Sequence, residues 1–270
     1  MAININGGEI MQGTQHKLLL SIINFLFLLL AFSLPAHSAT VEKDTWHFQL
    51  APYAWVAGQK GTVATLPPLP PAEIDIDFYD DILGNINGAL FLVGEARKGR
   101  FGIVADAAYV DIEIEDPTPG PFFTLLDSRT QSWIVSVAGF YRLTEKQGSF
   151  LDLIGGARYW SVDSTLTLKE GLLPSRSISN NEDWFDPIIG LKGLAPLGDS
   201  SFFLSGFVVV GGFGAGSDFM WDANINLGYQ WTETFSTTLG YRYLDVDYEN
   251  GDFLYDVAQD GLTLGLSWRF

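Results

Sequence analysis

From Trp46 to the C-terminus the chain alternates apolar with polar or small residues at a period of two, almost without interruption. Successive side chains of a strand point to opposite faces, so such a chain folds by lining up many strands with one apolar face in common. The last ten residues show the pattern. Leu262, Leu264, Leu266, Trp268 and Phe270 share one side, and Thr263, Gly265, Ser267 and Arg269 the other. Ten segments of this kind occupy 46–57, 86–97, 100–114, 131–143, 150–163, 184–195, 200–213, 219–231, 235–247 and 261–270. The connections alternate as well. They are short at 98–99, 144–149, 196–199 and 232–234, and long at 58–85, 115–130, 164–183, 214–218 and 248–260. Tight turns on one side and long loops on the other predict an up-and-down antiparallel meander with both ends on the tight-turn side.

Half-buried strands of a soluble sandwich alternate too, but three features favour a membrane. Segments of 12–14 residues suit a tilted bilayer crossing better than an ordinary strand. Apolar faces end in Trp, Tyr or Phe, as interfacial belts do. The opposite face carries charges that a dry core would reject. Lipid cannot satisfy an open strand edge, so the sheet must close. The expectation is an all-β fold, a transmembrane antiparallel up-and-down β-barrel of ten strands. Eight or twelve remain open, because Glu73 to Phe78 alternates ambiguously.

Residues 1–38 read as a signal peptide, leaving 39–270 as the barrel domain. Lys17 precedes an uncharged apolar stretch over 18–34, and Ala36, Ser38 and Ala39 supply small residues for cleavage. A retained anchor is the alternative, although the stretch is short for a spanning helix. The absence of cysteine is compatible with export, where disulfides are optional.

The ending Leu264-x-Leu266-x-Trp268-x-Phe270 resembles the C-terminal signature of bacterial outer-membrane β-barrel proteins, which implies recognition by the barrel-assembly machinery and a place in the Gram-negative outer membrane. The run from Glu95 through Arg97, Lys98 and Arg100 to Gly102, with Asp106 and Tyr109, is similar to an uncharacterised family of proteobacterial barrels. Pro52 to Trp55 and Asp80 to Asn85 extend that resemblance. It implies an architecture and no activity; OmpA- and OmpW-like barrels are relatives by fold only. Outer-membrane lipid and lipopolysaccharide are the implied surroundings.

Fifteen Lys and Arg against 32 Asp and Glu give a net charge of −17, which argues against nucleic acid as a partner. The long loops and their flanking strand ends hold 21 acids and only four bases, Lys60, Arg129, Lys169 and Arg176. A second set of charges falls on the inward side of the strands: Glu95, Asp106, Asp152, Asp186 and Asp222 against Arg97, Arg142, Arg158, Lys192, Arg242 and Arg269. Five acids and six bases in a narrow tube should pair across it. The result is either a salt-bridged plug or a charged, water-filled path, with the plug favoured because arginines fill space. Gly156 to Asp163 and Gly240 to Asp247 repeat one pattern, with an inward Arg, an outward Tyr and an acidic end.

Outer-membrane hydrolases usually employ a histidine near the outer rim. After the leader the chain has only His47, at the start of the first strand. No catalytic residue is therefore assigned, and a membrane-embedded hydrolase acting on lipid or peptide stands as the alternative. Asp245-x-Asp247-x-Glu249 has part of a calcium-loop spacing but lacks its Gly and closing Glu. No cofactor is expected beyond loosely held Ca²⁺ or Mg²⁺ on the acidic rim. In the first long loop, Leu66 to Pro71 is a stiff spacer and Asp77 is placed to cap a short helix, which serves either as a lid or as an amphipathic turn. The expected role is a structural or interaction barrel, or a narrow pore for small solutes; oligomeric state is not encoded in any motif.

Overall fold

The computed structural model describes residues 45–270; the expected signal peptide over 1–38 lies outside the described residues. The chain forms eleven antiparallel strands: β1 (Trp46–Ala64), β2 (Ala72–Ile76), β3 (Ile86–Lys98), β4 (Phe101–Pro117), β5 (Phe123–Lys146), β6 (Ser149–Glu170), β7 (Arg176–Pro196), β8 (Phe202–Gly211), β9 (Phe219–Gln230), β10 (Phe235–Asn250) and β11 (Phe253–Arg269). From β3 to β11 each pairs with its neighbour in sequence, and β1 pairs with both β3 and β11, which closes the sheet into a ring. The seam runs from Gln49 opposite Arg269 to Ala64 opposite Leu254. It is finished by Phe48 and Phe270, which exchange main-chain hydrogen bonds of 2.8 and 3.0 Å.

Eleven strands appear where ten segments alternate cleanly in the sequence. The additional one is β2, the ambiguous stretch, which pairs only with β1. β3 lies beside residues 46–52 of β1 and β2 beside residues 59–63. A five-residue π-helical turn, Phe78–Ile82, separates them. Asp77 Oδ1 accepts the Tyr79 N–H at 2.8 Å, the capping role its position predicts.

Most of the expected long loops are instead strand. β4 and β5 pair as far as Pro117 opposite Leu125, β6 and β7 to Leu168 opposite Arg176, and β10 and β11 to Asn250 opposite Phe253. These ribbons rise well above the apolar zone. Their inner faces are buried only in part, by polar residues such as Ser164 as well as by Tyr248, Phe253 and Tyr255, so a uniform apolar alternation does not mark them in the sequence.

Outward-facing aromatics form two bands. At the short-turn end Phe101 meets Tyr141, Phe202 meets Tyr229 and Trp231 follows it, and Phe235 meets Trp268. Eight residues further along the strands, Tyr109 meets Trp133 and Trp221 meets Tyr243; Tyr159 meets Phe185 in the same band. Eight residues span about 26 Å of strand, which at a tilt of about 35–45° rises roughly 20 Å, comparable with the apolar band of about 25 Å between interfacial girdles. Between them Ile103, Val137, Leu153, Ile189, Leu204, Ile225, Leu239 and Leu264 point outward and are exposed. Lipid contact is the environment in which such a surface is stable.

Candidate functional site

The inward faces carry three layers. Nearest the short turns, Arg142 on β5 makes a two-point ion pair with Asp152 on β6, at 2.8 and 3.2 Å, and reaches Glu145 at 3.1 Å. Lys192 on β7 is 3.5 Å from the same Asp152 and also bonds Glu95 on β3. The Lys192 ammonium sits 4.0 Å over the Phe140 ring, and the Arg142 guanidinium 4.0 Å over Phe150. Phe140 fits because Gly102 opposes it: a Cβ there would meet the ring at 2.2 Å. Arg97 donates to the Gly99 carbonyl at 2.9 Å and lies 4.0 Å from Glu145. Arg269 ends the last strand, opposite Gln49 of β1.

The middle layer is built around one carboxylate. Asp222 on β9 is fully buried and receives Arg242 at 3.0 and 2.7 Å and Arg158 at 2.7 Å. Arg242 also donates to Asp106 at 3.1 Å and to the Tyr53 hydroxyl at 2.8 Å, and Tyr53 donates to Asp106 at 2.9 Å. Arg158 donates in addition to Ser136 Oγ at 2.8 Å. Only 2–3 % of either arginine is exposed. The two repeats in the sequence thus deliver their arginines, Arg158 from β6 and Arg242 from β10, to the same partner. Desolvation on this scale is tolerable because each charge is met by the opposite one, although Arg158 Nη1 is buried without a hydrogen-bond partner.

Asp186 departs from the expected cross-lumen pairing. Arg158 is its cross-strand neighbour in register, yet that guanidinium turns to Asp222. Asp186 instead accepts three neutral donors: Trp160 Nε1 at 2.7 Å, Ser217 N–H at 2.7 Å and the Ser217 hydroxyl at 2.8 Å. Trp184 Nε1 donates to Ser217 Oγ at 2.9 Å. Ser217 belongs to the connection between β8 and β9, 212–218, which contains the shortest of the expected long loops, 214–218. The Ser217 side chain is drawn inside the ring, and in the first loop the Thr65 carbonyl accepts Asn180 Nδ2 of β7 at 3.2 Å. Gly212 and Gly214 at positive φ make the tight fold possible.

Above lies an aromatic layer with no counterpart in the sequence-based expectations. Trp184 stacks on Tyr248 with centroids 4.0 Å apart and on Trp160 at 5.5 Å, and Phe253 and Tyr255 pack edge-on against it. Met220, Leu244, Val246 and Val257 complete it, all buried. The parity of Trp160 and Trp184 marks them as inward residues. Their assembly depends on hairpins far apart in sequence.

The outer walls of the ribbons hold the loop acids. Asp111 receives two bonds from Arg129, at 2.9 and 2.6 Å, which hold its carboxyl below the usual range. Asp127 pairs with Lys169 at 2.6 Å. Among the described residues, the group of three acids whose ligand atoms all lie within 4.8 Å of one another is Glu113, Glu115 and Asp127. The sequence candidates Asp245, Asp247 and Glu249 do not gather in this way, because they follow one another along the outer face of β10. Asp247 lies directly opposite Asp256. Burial pushes both carboxyls up, and Asp256, Asp218 and Glu249 add to the effect at Asp247. A raised folded-state pKa means the fold holds these protons more tightly than the unfolded chain. Their stability contribution is therefore lost as pH rises from the ordinary carboxylate range, about 4, through the raised values. Asp111 works the other way, losing its contribution only at lower pH. Asp247→Asn should accordingly stabilise the barrel at pH 7 by about 0.2–1 kcal/mol. It should also flatten the gain in stability seen on acidifying from neutral toward pH 5. Urea unfolding in detergent at several pH values checks both.

At the terminal signature, Leu264, Leu266, Trp268 and Phe270 all face outward and are exposed, with Phe270 stacked on Phe48 at 5.9 Å.

No protein family matches the chain, and no curated protein matches it in sequence. Solved structures match it in fold. The outer membrane protease OmpT from Escherichia coli aligns at a TM-score of 0.51 and 13% identity, over 84% of this chain and 98% of that one. The attachment invasion locus protein Ail of Yersinia pestis gives 0.37 and 12% over 83% and 98%, and Neisserial surface protein A 0.33 and 12% over 83% and 97%. The chain has the fold of bacterial outer-membrane β-barrels. A likeness at this level of identity speaks to fold and carries no chemistry with it.

Proposed function

We propose that this is a non-enzymatic outer-membrane protein in which a sealed barrel serves as a scaffold, with its ribbons displayed on the cell surface. The observation that carries the proposal is the fully buried Asp222, clamped between Arg158 and Arg242 across the middle of the lumen. An ion crossing here would have to separate groups that have no water to replace their partners. The aromatic layer and the inward Ser217 close the same route a second time. Support for the surroundings comes from the two aromatic bands and the exposed apolar zone between them. Short turns conventionally face the periplasm, which puts the acidic ribbons outside and His47 on the inner side, away from any outer-rim chemistry. The outward Trp268 and Phe270 suit delivery by the assembly machinery, and the leader suits export.

Planar-bilayer recording tests the sealed lumen. The purified protein should add no conductance steps to the bare membrane, and ion current of either sign would overturn the scaffold in favour of a pore.

A further inference from the structure

The ring is not equally tall all round. β8 pairs with β7 only from Ile188 opposite Gly211 to Pro196 opposite Phe203, whereas β7 continues for twelve residues beyond, paired on its other side with β6. Which main-chain groups this leaves open follows from the register. The Pro187 carbonyl accepts Gly212 N–H at 3.2 Å, so the polar groups of residue 187 point away from β6. Along a strand that direction recurs every second residue. The N–H and C=O of Phe185, Asp183, Asn181, Ser179 and Ser177 therefore point the same way. Gly216 covers Phe185, and a Cβ there would lie 2.3 Å from the Phe185 oxygen. Among the described residues, no strand is paired with 177–183 on that side. The contacts that cross from β10, Tyr248 Oη and Asn250 Nδ2 to Glu182 at 2.7 Å each, are made by a side chain of the opposite, inward parity. They leave the main-chain edge clear.

Long flat edges are normally blunted by lysine, proline or a bulge, because they template another strand. Between Ser177 and Asp183 this edge has no lysine, proline or register shift, and its charges are the acids Glu182 and Asp183, which repel an acidic strand and admit a basic one. Arg176 stands at one end of it, and the other charges near it are acidic: Glu182 and Asp183 on β7, and Asp218, Asp247 and Glu249 toward β10. A second copy would bring the same acids and the same net charge of −17 to the contact.

We propose that the open edge of β7, Ser177 to Asp183, is a strand-addition site for an extended lysine- or arginine-rich peptide segment. Main-chain pairing supplies the geometry and the surrounding carboxylates the selection for positive charge. The proposal rests on the reading of the ribbons as a displayed surface. A conducting barrel in the bilayer experiment would remove the scaffold reading and leave this edge to be judged by its own test.

The probe is a fluorescent twelve-residue peptide of alternating Lys and Thr, titrated against the refolded protein in detergent and followed by anisotropy. Two controls separate pairing from simple attraction. One is the same peptide N-methylated at alternate residues, which keeps its charge and cannot complete a ladder. The other is the Ser179→Pro, Asn181→Pro double variant, which removes only donors that point away from β6, as Pro187 already does in the same strand. Each control should weaken binding at least tenfold. Amide exchange at Ser177, Ser179, Asn181 and Asp183 should slow when the unmodified peptide binds. Equal binding of the N-methylated peptide, no binding of either peptide, or edge-to-edge dimers of the protein in place of peptide binding would each overturn the proposal. If the proline variant fails to refold, the N-methylated comparison on the unaltered protein decides.

Discussion

Arg242→Ala should cost the folded barrel about 3–5 kcal/mol, the usual consequence of stranding a buried partner. Arg242 is the one group that touches Asp222, Asp106 and Tyr53 together, and its guanidinium covers the Trp55 ring at 4.8 Å. Removal leaves Asp222 with Arg158 as its cation and Asp106 with the Tyr53 hydroxyl as its donor. A companion variant makes the prediction specific. Arg242→Met with Asp106→Leu deletes one charge of each sign and leaves the Arg158–Asp222 pair intact at 2.7 Å. It should recover a large part of the loss, since an apolar replacement of a whole buried pair is often neutral. Urea unfolding in lipid vesicles measures both. If the double variant is as unstable as the single one, charge balance is not what holds the middle of the lumen. In the bilayer, Arg242→Ala is also the variant expected to admit water and give the first measurable conductance.

Asp186→Ala should be the second most damaging change, at about 2–4 kcal/mol, for a different reason. Asp186 is fully buried but meets no cation; its oxygens collect Trp160 Nε1 and both donors of Ser217. Truncation leaves three buried donors without an acceptor, at about 1–3 kcal/mol for each that water cannot reach. Part of that is recovered as the 212–218 connection swings out to be solvated. Protease cleavage within 212–218 should therefore accelerate together with the loss of stability. Ser217→Ala removes only the hydroxyl and should give a smaller change of the same kind. Rapid cleavage in the unaltered protein would show that the connection is not held by Asp186.

The lumen charges were legible in the sequence as a face, and less so as a set of partners. Parity alone assigns Glu95, Asp106, Asp152, Asp222, Arg142, Arg158, Lys192 and Arg242 to one side of their strands. It does not say how deep each sits in a tilted, staggered ring. Arg158 accordingly bonds Asp222, 64 positions away, in preference to Asp186 directly across the ladder. The ribbons above the apolar zone escaped notice because polar residues such as Ser164, Thr165 and Ser177 occupy both of their faces, and Ser164 is buried although it is polar. β2 was visible only as an ambiguity, since its five residues are too few to declare a period.

What the order of residues determined alone is the covalent parity of the strand: which side chains face out, which face in, and that the outward set ends in aromatic residues. These follow from the geometry of a single extended chain and need no partner. What only the tertiary structure decided is everything that depends on relative height around the ring. The convergence of Arg158 and Arg242 on Asp222, the stacking of Trp160, Trp184 and Tyr248, the inward fold of Ser217 and the bare edge of β7 are all of this kind. Each is set by strand tilt and by how far neighbouring strands continue, quantities that belong to pairs of strands and to the closed sheet.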